Sequence, residues 1–163
     1  LKMNALETEF IDFYAQMGHA FGMGDLLMKI FGLLYLEPKE MAMEDIAKKT
    51  GYSLATISNA MKTLEVSGIV QRKSKPKTRK IFFHIDKNLL RMNIRKLQVA
   101  NDLMVKPAKT QIPLMIEKYK NKVKSDRSKE QLKLIKSYYH QMIEFEQIMK
   151  KWTKDLNKSS QKY

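Results

Sequence analysis

Residues 43–64, MEDIAKKTGYSLATISNAMKTL, limit what this chain can fold into more than any other stretch. Two short amphipathic segments flank the turn Thr50-Gly51-Tyr52-Ser53. Ile46 and Ala47 point inward from the first, and Ile57, Met61 and Leu64 recur at i, i+4 and i+7 on one face of the second. Gly51 can take the left-handed conformation that ends a helix without a Cβ clash. Ser53 can cap the next helix by accepting a hydrogen bond from one of its free N–H groups. Two helices joined by such a turn form a helix-turn-helix, whose second helix can lie in the major groove of DNA.

The outer face of that second helix, 53–67, is small and polar: Ala55, Thr56, Ser58, Asn59 and Lys62, with Ser53 at its start. Small side chains allow close approach to a groove. Ser and Thr reach phosphates or base edges, Asn can read adenine, and Lys can meet guanine or phosphate. Ordinary solvent exposure would produce the same residue types. The neighbouring sequence favours the first reading. After Gly68, which should end the helix, residues 69–75 and 80–85 alternate like two strands around a Pro76 turn, which makes a hairpin. The run RKSKPKTRK at its centre has six basic residues in nine: Arg72, Lys73, Lys75, Lys77, Arg79 and Lys80. Glu65 is the only acid between 53 and 80, so local neutralisation is not expected. Lys73, Lys75, Lys77 and Arg79 share a face if strand alternation survives the turn. Phosphate contact is the economical explanation. Arg79, or equally Lys77, is the candidate for a narrow minor groove.

The net charge is +14 over 163 residues, unevenly spread: residues 1–40 carry 3 basic and 6 acidic side chains, whereas 53–80 carry 7 and 1, and 106–163 carry 15 and 6. This pattern points to a polyanionic partner. The chain has no cysteine, which removes disulfides and thiolate sites. His19, His84 and His140 lack partners at metal-ligand spacing. No phosphate loop, nucleophile elbow or paired-carboxylate motif is visible, so catalytic residues, metal and cofactor are all expected to be none. No stretch reads as a signal peptide or membrane span, which points to the cytoplasm and away from a membrane partner.

The remaining sequence reads as helices. Residues 4–20 carry Leu6, Phe10, Phe13 and Met17 on a narrow seam. Gly18, Gly22 and Gly24 then suggest a hinge, and 25–36 is apolar almost all round. Asp86 should cap a helix over 86–105. Two prolines within 106–113 predict a bend, with a short helix over 114–123. A long helix over 128–156 places Ile135, Tyr138, Met142, Phe145, Met149, Trp152 and Leu156 at steps of three and four, a heptad seam. Residues 157–163 should fray. Both seams suit pairing of two copies, and an intramolecular helical core would use the same pattern. The aromatics along them could also surround a quaternary ammonium ion, though packing is the commoner use.

The order of parts resembles a winged helix-turn-helix regulator of the MarR superfamily, nearest the GbsR-type subgroup. The resemblance rests on residues 22–72, GMGDLLMKIFGLLYLEPKEMAMEDIAKKTGYSLATISNAMKTLEVSGIVQR, and on TRKIFFHI at 78–85. It implies a mainly α fold with a small β-hairpin wing, flanked by N- and C-terminal dimerisation helices. The parts would be a packing helix (3–21), the winged DNA-binding domain (22–86), a helical dimerisation region (87–157) and a polar tail (158–163). It further implies a homodimer on a pseudo-palindromic double-stranded operator, usually as a repressor, and leaves room for a small-molecule effector, choline-like in some members of the subgroup. The wing departs from the pattern: KPKTRK lacks the acid and glycine that many relatives carry beside the tip arginine. A general nucleic-acid scaffold with little sequence preference, or a winged module used for protein contact, remains the alternative from the residues alone.

Overall fold

The computed structural model describes residues 3–20 and 22–163; Phe21, the last residue of the expected first segment, lies outside them. The chain is mostly helical with one small antiparallel sheet. Its elements are α1 (Ala5–Ala20), α2 (Asp25–Leu36), β1 (Met41–Ala42), α3 (Met43–Thr50), α4 (Leu54–Val66), β2 (Gln71–Ser74), β3 (Ile81–His84), α5 (Leu89–Ala100), a π-helical turn (Asn101–Val105), α6 (Lys106–Tyr119) and α7 (Asp126–Ser160). They divide into two compact units, residues 1–92 and 93–163.

In the first unit α1 begins with a reciprocal cap. The Glu7 N–H donates to Asn4 Oδ1 at 2.9 Å, and the Asn4 N–H donates to Glu7 Oε2 at 2.8 Å, satisfying two otherwise free donors. The buried side of α1 is Ile11, Ala15 and Gly18, not the Leu6–Phe13 seam. Phe10 instead joins Tyr14, Phe31 and Tyr35 in an aromatic cluster with ring centroids 4.7–5.8 Å apart. The glycines expected to form a hinge divide their work. Gly22 turns the chain at φ +66°, while Gly18 lies in the helix where any Cβ would collide with Met28.

α2 is central, as its apolar sequence predicts. Ile30, Phe31, Leu33 and Leu34 are buried with Ile46 of α3, Ile57, Met61 and Leu64 of α4, Met41, Phe83, Ile85 and Met92. Gly32 sets the approach of α1, because a Cβ there would stand 3.1 Å from Cα of Ile11. Gly32→Leu therefore has to push two backbones apart. Its expected cost is about 1–3 kcal/mol, read as a lowered midpoint in thermal and urea melts.

The sheet order is β1-β3-β2, with Met41 opposite Phe83, and Gln71 and Lys73 opposite His84 and Phe82. The hairpin was expected from the sequence; the third strand, β1, was not. The strands are also shorter than their apolar runs. Ile69 and Val70 do not pair in the sheet; their N–H groups both donate to the Leu64 carbonyl and wrap the end of α4. Asn88, not Asp86, caps α5: its Oδ1 accepts from the N–H groups of Leu90 and Arg91. Asp86 holds Arg91 at 2.9 and 3.0 Å, and that guanidinium keeps its carboxyl below the usual range.

The second unit corrects two expectations. No separate helix spans 114–123, because α6 runs through both prolines. Pro107 follows just after the π-helical turn, and Pro113 sits inside α6, where it has no N–H to donate to the Lys109 carbonyl. The C-terminal residues do not fray from 157. α7 begins at Asp126, capped by Ser125 Oγ accepting from the Ser128 N–H at 3.2 Å, and continues to Ser160, which is buried. Among the described residues no helix is long and apolar enough to cross a membrane, and no group of His, Asp or Glu could hold a metal ion.

Candidate nucleic-acid interface

The turn before α4 is built as its residues predict. Gly51 ends α3 at φ +76°, with its N–H bonded to the Ala47 carbonyl at 2.9 Å. Ser53 stays extended, and its Oγ accepts from the Thr56 N–H at 3.2 Å. The two hydroxyls lie 2.8 Å apart, so Ser53 and Thr56 are tied together at the helix start. Ala55, Asn59 and Lys62 are exposed along the outer face, and Ser58 is half-buried. Gly68 turns the chain at φ +75°, the end point its position predicts. Tyr52 and Leu54, 40% and 47% exposed, flank Ser53. Neither was singled out in the sequence, although Leu54 falls outside the 57–61–64 apolar set. Its exposure at the leading end of α4 offers a methyl-bearing surface of the kind that meets thymine.

All nine residues of the wing run, 72–80, are exposed. Strand pairing stops at Ser74 and resumes at Ile81, so alternation does not carry across the tip. Lys77 has φ +65°, following Pro76, at the position that a type II turn reserves for glycine or asparagine. The expectation that Lys73, Lys75, Lys77 and Arg79 share one face therefore holds only for the first pair. Lys73 and Lys75 share a counter-charge that no window around the wing contains. Glu40, the residue before β1, holds Lys73 through Oε1 and Lys75 through Oε2, each at 3.3 Å. Lys75 also stands over the Phe82 ring at 4.2 Å from its centroid. Among the described residues Arg72, Lys77, Arg79 and Lys80 have no carboxylate within ion-pair distance. The wing thus separates into two internally paired lysines at its root and four free cations.

Behind that root is a polar cavity of about 200 Å³ lined by Glu37, Pro38, Lys39, Glu40, Lys73, His84 and Lys87. The Glu40 carboxyl is held down to about 2, by its own backbone N–H first and then by Lys73 and Lys75. His84 is pushed below its ordinary value by burial, with Lys73 and Lys87 adding to the effect.

The predicted C-terminal seam is divided. Met142 and Met149 are buried with Val105 against Leu97, Ala100 and Ala108, while Ile135 and Leu156 are half-buried. Tyr138, Phe145 and Trp152, one heptad apart, are 51%, 40% and 55% exposed, and Leu134 and Ile148 extend the same open stripe. One side of the heptad thus fills the chain's own core. Of the seam expected to pair two copies, Tyr138, Phe145 and Trp152 lie on its open side. On α1, Leu6 and Phe13 are exposed and Met17 is half-buried. A separate cavity of about 440 Å³ is lined by Asn93, Lys96, Leu97, Trp152, Asp155 and Leu156, large enough for a small molecule.

Residues 27–74, covering α2 to β2, match the family model of the IclR helix-turn-helix domain. A Bacillus subtilis (strain 168) protein named as an HTH-type transcriptional regulator, YvaV, is 24% identical over 82 residues, covering 50% of this chain and 46% of that relative's length. A solved structure described as a transcriptional regulator superposes with a TM-score of 0.68 at 15% identity, covering 95% of this chain and 98% of its own. The helix-turn-helix is thus matched in sequence and the architecture over nearly the whole chain, and the protein has a winged helix-turn-helix fold.

Proposed function

We propose that the protein is a double-stranded DNA-binding transcriptional regulator that acts as a homodimer, usually to repress. α4 enters the major groove with Ala55, Ser58, Asn59 and Lys62 foremost, and the wing lies on phosphates or in the minor groove. The observation that carries this reading is the juxtaposition of a small, exposed outer face on α4 with four unpaired wing cations. Such an arrangement separates the two tasks of a DNA reader: side chains on the helix can contact base edges, while the wing supplies affinity that is indifferent to sequence. The matched helix-turn-helix segment and the regulators of similar fold support the same reading. The quoted stretches at 22–72 and 78–85 favour the GbsR-type subgroup of the MarR superfamily, with pairing through the open seam of α7 and the exposed residues of α1. The 440 Å³ cavity beside Trp152 is the place we assign to a small-molecule effector.

Binding titrations test the reading, using duplexes from the protein's own promoter region against scrambled duplexes at two salt concentrations. The promoter duplex is expected to bind tighter, by roughly 10³-fold or more for a specific site. Two half-sites should lie about one helical turn apart, ~34–36 Å. Equal affinity for both duplexes at every salt concentration would replace this reading with that of a general nucleic-acid scaffold.

A further inference from the structure

We infer that Glu40 is an internal rival of DNA phosphate: it holds the two lysines at the root of the wing and so limits how many cations the wing commits to DNA. The inference rests on the DNA-binding reading above. Its basis is the placement of one carboxylate across two ammonium groups, Lys73 and Lys75, with one oxygen to each at 3.3 Å. Lys73 and Lys75 are two residues apart and so fall on one side of the β2 line, and β1 brings Glu40 to that side through its pairing with β3. A carboxylate and a phosphodiester present the same chemistry to an ammonium group, paired anionic oxygens that accept charge-assisted hydrogen bonds.

The lysine side chains are 44% and 43% exposed, so either can exchange Glu40 for phosphate without unfolding the sheet. Ion pairs this exposed are weak, and a phosphate contact can compete with them. Glu40 stays ionised at any pH at which duplex DNA is bound, so the rivalry is constant and is not switched by pH. Arg72, Lys77, Arg79 and Lys80 face no such competitor among the described residues.

The test is a double-mutant cycle on the full chain, read as log affinity for the promoter duplex against log salt. Glu40→Gln is expected to bind tighter at low salt and to steepen the slope by roughly 0.9–1.8 for each wing, the share of one or two released lysines. Glu40→Asp keeps the charge but shortens the reach, and should fall between Gln and the native chain. In a Lys73→Gln/Lys75→Gln background, Glu40→Gln is expected to change neither slope nor affinity. An equal gain in both backgrounds would show only a net-charge effect and overturn the inference. So would an unchanged slope, or weaker binding by Glu40→Gln, which would make Glu40 a support for the wing. A native chain with no salt-dependent DNA binding would overturn the regulator reading itself, and this inference with it. Circular-dichroism melts of each variant establish that the comparison is among folded proteins.

Discussion

Replacing Arg72, Lys77, Arg79 and Lys80 together with alanine is expected to abolish most of the salt dependence of DNA binding while leaving the fold intact. These four cations are exposed and have no carboxylate partner among the described residues, so their removal leaves no buried charge behind. Two wings in a dimer would bring eight of them to DNA. At about 0.9 in slope for each phosphate neutralised, they account for roughly 7 of the log–log salt slope, or about a 10⁴-fold change between ~50 and ~200 mM salt. The variant should bind weakly and almost indifferently to salt over that range. A Lys73→Ala/Lys75→Ala variant should lose far less, because Glu40 already occupies those side chains. Fluorescence anisotropy across a salt series reads both. A quadruple variant with the native slope would remove the wing from the DNA contact.

The second large effect concerns assembly. Phe145→Glu combined with Trp152→Glu places two carboxylates in the open stripe of α7, where both aromatics are exposed. In a two-fold interface each substitution acts twice. Buried aromatic anchors are typically worth about 2–4 kcal/mol each, so the four altered sites of a dimer are expected to lose at least ~8 kcal/mol, roughly a millionfold in the dimer Kd. Sedimentation should show a monomer whose melting midpoint no longer depends on protein concentration. Met149→Ala should behave in the opposite way. It opens a cavity in the core of the second unit, costing about 2–5 kcal/mol of stability, and leaves the open stripe untouched. Persistence of a dimer in the glutamate variant would assign pairing to another surface.

The helix-turn-helix was legible because every part of it is local. Gly51, Ser53 and Gly68 each act within a few residues of themselves, and Ile57, Met61 and Leu64 fix the inner face by spacing alone. The features that were not legible depend on residues far apart or on too little chain. β1 is two residues long and carries no periodicity, and its pairing with Phe82 and Phe83 is a tertiary event. Glu40 lies 33 residues before Lys73, so a charge count around the wing could not find it. The heptad of α7 was readable as a pattern, but a seam does not say which of its two sides meets the same chain. Prolines at 107 and 113 suggested a break, yet the helix runs through both, Pro107 just after the wider turn at Asn101–Val105.

The π-helical turn at Asn101–Val105 has a consequence for how the sequence around it should be aligned and edited. The core positions there run Leu97, Ala100, Val105, Ala108, so the middle step is five residues. Five residues at about 100° each would carry Val105 some 140° away from Ala100 in a regular helix. The wider turn, bonded from the Lys106 N–H to the Asn101 carbonyl, takes up the surplus residue and returns Val105 to the same side. The step is thus an insertion whose phase has been repaired locally. Deleting one residue between 101 and 104 would leave a step of four, which an ordinary helix turn accommodates with the downstream stripe still in register. Relatives whose lengths differ by one residue at this point can share the same packing, and an alignment gap placed there is a change of helical pitch with no displacement of the elements that follow.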